Sequence, residues 1–214
     1  MTTVITGTSR GIGAGLADAY RARGEDVFGT SRGTGAEIQL DVTQPSGHSA
    51  MAATLGDRAV DLLICNAGVY LDKGHDLETG FGADLWAQTF AANVTGVFLS
   101  VQALLPHLRR AAAPRIAIIS SQMGSSTRAG GKSYIYRSSK AAALNLGRNL
   151  AVDLKPEGIA VGIYHPGWVQ TDMGSMDADI DVATSVAGLV ARFDALDLAT
   201  TGCFEMWNGD PMPM

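Results

Sequence analysis

The sequence predicts a doubly wound α/β fold: one parallel sheet of about seven strands with helices on both faces. Three observations carry this. Short β-branched or apolar runs alternate with helix-forming stretches along the whole chain. A Gly-rich turn joins the first strand to the first helix. Small or turn-forming residues end the other strands, on the side where such sheets bind ligands. The 214 residues, with no internal repeat, linker or low-complexity tract, suit a single domain over residues 1–214 that holds every site. With 46% hydrophobic and 17% charged residues, the chain is built to bury a core.

The elements follow in order. Thr3-Val4-Ile5-Thr6 reads as a buried strand, and Gly7-Thr8-Ser9-Arg10-Gly11-Ile12-Gly13 as the turn into a helix beginning near Ala14. Small residues there let backbone N–H groups approach a pyrophosphate at the helix N-terminus. The spacing is Gly-x-x-x-Gly-x-Gly rather than the commoner dinucleotide pattern. A second strand spans Asp26 to Thr30, followed by Arg32. Cofactors with a free ribose 2′-OH want an acid at about that place. Arg10 and Arg32 instead match a 2′-phosphate, or they are two solvated arginines. Ile38 to Val42 reads as a third strand. Its Asp41 can accept from an adenine amine or cap the helix expected from about Ser46 to Leu55.

Val60 to Cys65 reads as a buried strand ending in Asn66-Ala67-Gly68, where backbone can approach a ligand. Residues 70–82 read as a loop. Asp84 to about Arg110 reads as two helices meeting before Asn93. Ile116 to Ile119 is a strand ending in Ser120-Ser121. A polar loop then leads to Tyr136 and a helix through about Leu154. Ile159 to Tyr164 is a strand ending in His165-Pro166-Gly167. Residues 170–182, acidic and Gly-containing, suit a lid. A helix near Thr184 to Phe193 and a strand near Gly202 to Met206 follow.

The net charge of −5 and the lack of a basic stripe argue against nucleic acid. No charged, apolar leader precedes Thr3, so a cytoplasmic location is expected. The most apolar helix, near Ala91 to Leu105, carries Asn93, Thr95, Ser100 and Gln102, which argues against a membrane span. Cys65 and Cys203 read as free thiols. His48, His75, His107 and His165 have no ligand spacing, so no metal is expected.

Chemistry enters with Tyr136-Arg137-Ser138-Ser139-Lys140. A phenol and an amine four residues apart share a helix face. An ammonium beside a phenol favours the phenolate, which suits a Tyr that gives a proton to a carbonyl oxygen and takes it back. Tyr134 is also within reach of this loop, but it is six residues from Lys140 and on another face.

Together Thr6-Gly7-x-x-x-Gly11-Ile12-Gly13, Asn66-Ala67-Gly68, Asn93, Ser121, Tyr136-x-x-x-Lys140 and Pro166-Gly167 resemble the short-chain dehydrogenase/reductase family, in its order and over nearly the whole chain. Ser120-Ser121-x-Met123-Gly124-Ser125 and the Trp207-Asn208-Gly209 ending resemble its C-factor-like and sniffer-like carbonyl reductases. The resemblance implies a Rossmann-like fold and an NADP(H)-dependent oxidoreductase interconverting a carbonyl and a secondary alcohol. It implies Tyr136 as acid/base, Lys140 lowering its pKa and holding the nicotinamide ribose, and Ser121 bonding the substrate oxygen. Asn93 would help hold a proton-relay water. The cofactor would lie along Gly7, Ser9, Arg10, Gly11, Ile12, Gly13, Arg32, Asp41, Val42, Asn66, Ala67, Gly68, Tyr136, Lys140, Pro166, Gly167, Val169 and Thr171. The small-molecule substrate would meet residues 70–82, 122–133 and 168–181. The resemblance also implies a homodimer or homotetramer. The other class of function left open is an NADP(H)-binding sensor or signalling protein with little turnover.

Overall fold

The central strand of the sheet explains the rest of the architecture. In the computed structural model, which describes all 214 residues, β1 (Thr2–Thr6) pairs in parallel with β2 (Asp26–Ser31) on one side and β4 (Leu62–Cys65) on the other. With β3 (Ile38–Gln39), β5 (Arg115–Ile119), β6 (Ala160–His165) and β7 (Phe204–Met206), the sheet order is β3-β2-β1-β4-β5-β6-β7. Every pairing is parallel. The chain winds outward in both directions from β1. This leaves a crevice beyond the strand C-termini between β1 and β4, the switch point at which such sheets bind ligands.

Side-chain alternation assigns the two faces. Val4, Leu63, Cys65, Ile116, Ile118 and Val161 face one core. That core is completed by α2 (Pro45–Leu55), α4 (Gly96–Leu108) and α5 (Tyr134–Leu154). Ile5, Leu62, Ile64, Ala117, Ile119 and Tyr164 face the other, covered by α1 (Gly11–Ala22) and α6 (Val182–Ala195). All four residues of β4 are buried, as a strand covered on both faces requires.

Four expectations are corrected. The third strand is only two residues long, because the Asp41 carboxylate accepts from the Thr43 N–H at 2.9 Å and from its hydroxyl at 2.8 Å, turning the chain toward α2. The last strand starts at Phe204, since Gly202 sits in a turn at φ +86°. The catalytic-helix candidate α5 begins at Tyr134, two residues early. No break precedes Asn93: α3 (Ala83–Phe90) runs through a π-helical segment, Ala91–Thr95, into α4. Such a segment is one wide turn inserted without ending the helix. Here it turns the Asn93 side chain toward Val69 and Ser139. The continuous run Ala83–Leu108 is long and apolar enough to cross a membrane, yet its Val97, Val101, Leu104 and Leu108 lie in the core.

Candidate active site

The crevice opens into a cavity of about 970 Å³, the size of a cofactor-plus-substrate site. Its end beside the Gly-rich turn is organised by Thr6 and Asn66. The Thr6 hydroxyl accepts from the Asn66 and Ala67 N–H groups, each at 3.0 Å, and the Asn66 side-chain amide donates to the Thr6 and Gly7 carbonyls, each at 3.0 Å. The ends of β1 and β4 are thereby fixed to each other. Gly7 and Gly11 adopt φ +77° and +57°, which favours glycine. A Cβ on Gly13 would stand 2.1 Å from the Gly7 carbonyl oxygen and 2.5 Å from Asn66 Nδ2, so only glycine fits. α1 starts without a side-chain cap and with no acid in its first turn. The N–H groups of Gly11, Ile12 and Gly13 donate to no partner within the chain, the first donor in the helix ladder being Ala14 to the Arg10 carbonyl. Free amides at a helix N-terminus are an anion site.

Arg10 and Arg32 both line the cavity. Arg10 pairs with Asp172 of the 170–182 segment, with both side chains largely exposed. The Arg32 guanidinium makes no ion pair and remains available to a phosphate. Asp41 also lines the cavity; its carboxyl is held below the usual range, chiefly by the Thr43 N–H, with the Thr43 hydroxyl and Arg32 adding to it. One oxygen, Oδ1, is thus committed to the turn at Thr43. These features, a cradle of free amides with an unpaired guanidinium at its rim, fit an adenine dinucleotide carrying a 2′-phosphate.

The chemical end centres on Tyr136, which is buried and lines the cavity beside Lys140. Burial pushes the phenol up to about 12; the Ser121 hydroxyl pulls it down, and Tyr70 and Asp72 push it up. The Lys140 ammonium, also buried, is pushed down to about 8 by desolvation. It donates to the Ile119 carbonyl at 2.9 Å and sits 5.7 Å from the centre of the Tyr136 ring. In this geometry burial outweighs any lowering of the phenol by Lys140, contrary to the expected direction. Ser121 accepts from the Met123 N–H at 3.1 Å as the cap of a short helical turn. Ser120 anchors the other side of the site, its hydroxyl donating to the Lys140 carbonyl at 2.9 Å.

Asn93 lies behind this cluster. Its side chain accepts from the Val69 N–H at 2.8 Å and donates to the Val69 carbonyl at 2.9 Å and to Ser139 at 3.0 Å. It ties the loop after β4 to α5 and does not line the cavity. Tyr134 is more than a third exposed and packs edge-on against Phe81, outside the cavity. Burial, with Arg128 and Lys140 adding to it, pushes the His165 imidazole down to about 4, which keeps it neutral.

Gly7, Ser9, Arg10, Gly11, Ile12, Gly13, Arg32, Asp41, Val42, Asn66, Ala67, Gly68, Tyr136, Lys140, Pro166 and Thr171 all line the cavity. Ser121, Asn93, Gly167 and Val169 do not line it. Val169 is buried because it bridges to Ile180, closing the base of the 170–182 segment. Gly167 is pressed against Ile180 and Trp207, which a Cβ would meet at 2.6 and 3.0 Å. Leu71, Gln170 and Met173, which also line the cavity, fall in the segments expected to meet substrate; the sequence reading missed Gln88 and Ala91 from the long helix. No local motif marks them, since each reaches the cavity by tertiary packing.

The fold and this cluster together define a nucleotide-dependent oxidoreductase. Residues 1–180 match the family described as short chain dehydrogenase, and the chain belongs to that family. The C-signal protein of Myxococcus xanthus is 39% identical over 169 residues, which cover 77% of this chain and 98% of the relative. Carbonyl reductase Sniffer of D. melanogaster superposes with a TM-score of 0.92 at 27% identity, over 100% of this chain and 99% of that one. NADPH-bound carbonyl reductase from chicken fatty liver superposes with a TM-score of 0.90 at 29% identity, over 100% and 98%.

Proposed function

We propose that this protein is an NADP(H)-dependent oxidoreductase that interconverts a small-molecule carbonyl and a secondary alcohol, with cofactor and substrate sites in one domain. The observation that carries the reading is the convergence of Tyr136, Lys140 and the free amides of α1 on one cavity. The family membership and the NADPH-bound relative support it. When bound, the nicotinamide supplies or accepts a hydride. The chain's own residues do the rest. The α1 amides and Arg32 hold the phosphates, and Lys140 reaches the ribose. Tyr136 donates a proton to the carbonyl oxygen in reduction and takes it back in oxidation. Ser121, whose oxygen accepts from the Met123 N–H and whose proton is left free, donates to the same oxygen. Asn93 holds Val69 and α5 in register behind them. The exposed apolar side chains of Trp86, Phe98 and Val152 on α3, α4 and α5 support a homodimer or homotetramer through these helices.

One observation favours a second reading, an NADP(H)-binding signalling protein with little turnover: the relative at 39% identity is named for a signal. The assay that separates the two follows NADPH absorbance in the presence of a panel of ketones and aldehydes. Consumption with at least one of them is the expected outcome. Tight NADPH binding without consumption for any carbonyl, and no NADP+ reduction by the matching alcohols, would favour the signalling reading.

A further inference from the structure

Loop 70–82, expected only to meet substrate, also grips the acid/base from behind. Asp72 is completely buried, a rare place for an unpaired carboxylate. Its partners are backbone: Oδ2 accepts from the Ile135 N–H at 2.9 Å and Oδ1 from the Tyr136 N–H at 3.2 Å. Two amide donors and the positive end of a helix are what a buried carboxylate needs. Two residues earlier, the Tyr70 ring stacks on the Tyr136 ring with centroids 4.3 Å apart, and its hydroxyl bonds Ser133. Ser133 and Lys132 immediately precede α5 in the left-handed region, at φ +48° and +54°. Neither is glycine, so the backbone is strained there. The Tyr70 and Asp72 contacts hold that strained start, and with it the direction in which Tyr136 leaves the helix.

We propose that Asp72 is a positioning residue that seats Tyr136 at the start of α5 and biases its phenol toward the protonated, proton-donating form. This rests on the reading of Tyr136 as acid/base. The groups facing the phenol are few. Tyr70 and Asp72 come from the loop after β4, Lys140 from α5 itself and Ser121 from the end of β5; His165 of β6 lies close to Lys140. Arg137 is turned away, its guanidinium bonded to the Gly131 and Arg128 carbonyls. Asp72 is the one carboxylate in this set, and a negative charge disfavours the phenolate.

Two variants separate position from charge. Asp72→Asn keeps the shape and one acceptor but removes the charge; Asp72→Ala removes both. Ultraviolet difference titration, with each variant also carrying Tyr136→Phe as its blank, isolates this phenol among the five tyrosines and needs no turnover. Its midpoint is expected to move down in both variants. The carbonyl-reduction kcat is expected to fall roughly tenfold to a hundredfold in Asp72→Ala, the cost of a slightly misplaced reacting group, with Asp72→Asn recovering part of it and NADPH affinity unchanged in both. An unmoved midpoint in folded Asp72→Asn overturns the proposal, as does a kcat loss that follows thermal stability or NADPH affinity. If Asp72→Ala does not fold, the Asp72→Asn titration decides. Absence of turnover in the parent protein would count against the oxidoreductase reading, while the titration would still test Asp72.

Discussion

Helices α1 and α5 both begin at the cavity, and their first turns are built in opposite ways. At α1 the chain supplies no side-chain cap and no acid, and the amides of Gly11, Ile12 and Gly13 stay free. At α5 a buried carboxylate from another loop takes the amides of Ile135 and Tyr136. Every helix leaves its first N–H groups without internal partners, so the question is what satisfies them. An open first turn is a seat for an anion from outside. A closed one fixes the side chains that leave it. On the proposed reading, one cavity wall therefore binds, and the other holds a reactive group in place.

The largest way to break this contrast is to fill the open turn. Gly13→Ala places a Cβ against the Gly7 carbonyl oxygen and Asn66 Nδ2. Overpacking of this kind costs about 1–3 kcal/mol, and here it displaces the amides themselves. Isothermal titration is expected to show NADPH affinity reduced on the order of a hundredfold, while α5 and its Asp72 contacts persist. Unchanged affinity would mean that the turn is not the phosphate seat.

A smaller change sharpens the same comparison at the rim. Arg32 is exposed and free of any carboxylate partner, so its contact with a 2′-phosphate is partly screened. Arg32→Asp is expected to narrow the preference for NADPH over NADH by roughly tenfold, about 1.4 kcal/mol. Fluorescence titration of both nucleotides reads this directly. Equal affinities for the two in the unmodified protein would remove the role given to Arg32.

The two walls also differed in how far the sequence revealed them. Gly7, Gly11 and Gly13 are close in the chain and follow a strand, so their convergence on one tight turn into a helix was readable from spacing. Asn66-Ala67-Gly68 was readable for the same reason. Asp72 looked like one polar loop residue among several, because its partners Ile135 and Tyr136 are 63 and 64 residues away. Asp172 likewise gave no sign of holding Arg10, 162 residues distant. The π-helical turn at Asn93 has no periodicity of its own that five residues can display. The pairing of Tyr136 with Lys140 on one helix face was legible, but the dominance of burial over the ammonium depends on the packed surroundings.

The central claim is that Tyr136, held at the closed turn, moves the proton. The direct test compares Tyr136→Phe with Tyr134→Phe in NADPH-dependent reduction of a carbonyl substrate that the parent protein turns over. Tyr136→Phe is expected to lower kcat by roughly 10²–10⁴-fold with NADPH binding intact, and Tyr134→Phe, whose ring packs on Phe81 outside the cavity, to keep most of the rate. A Tyr136→Phe protein that reduces the carbonyl at the parent rate, or the reverse pattern between the two variants, would contradict the account.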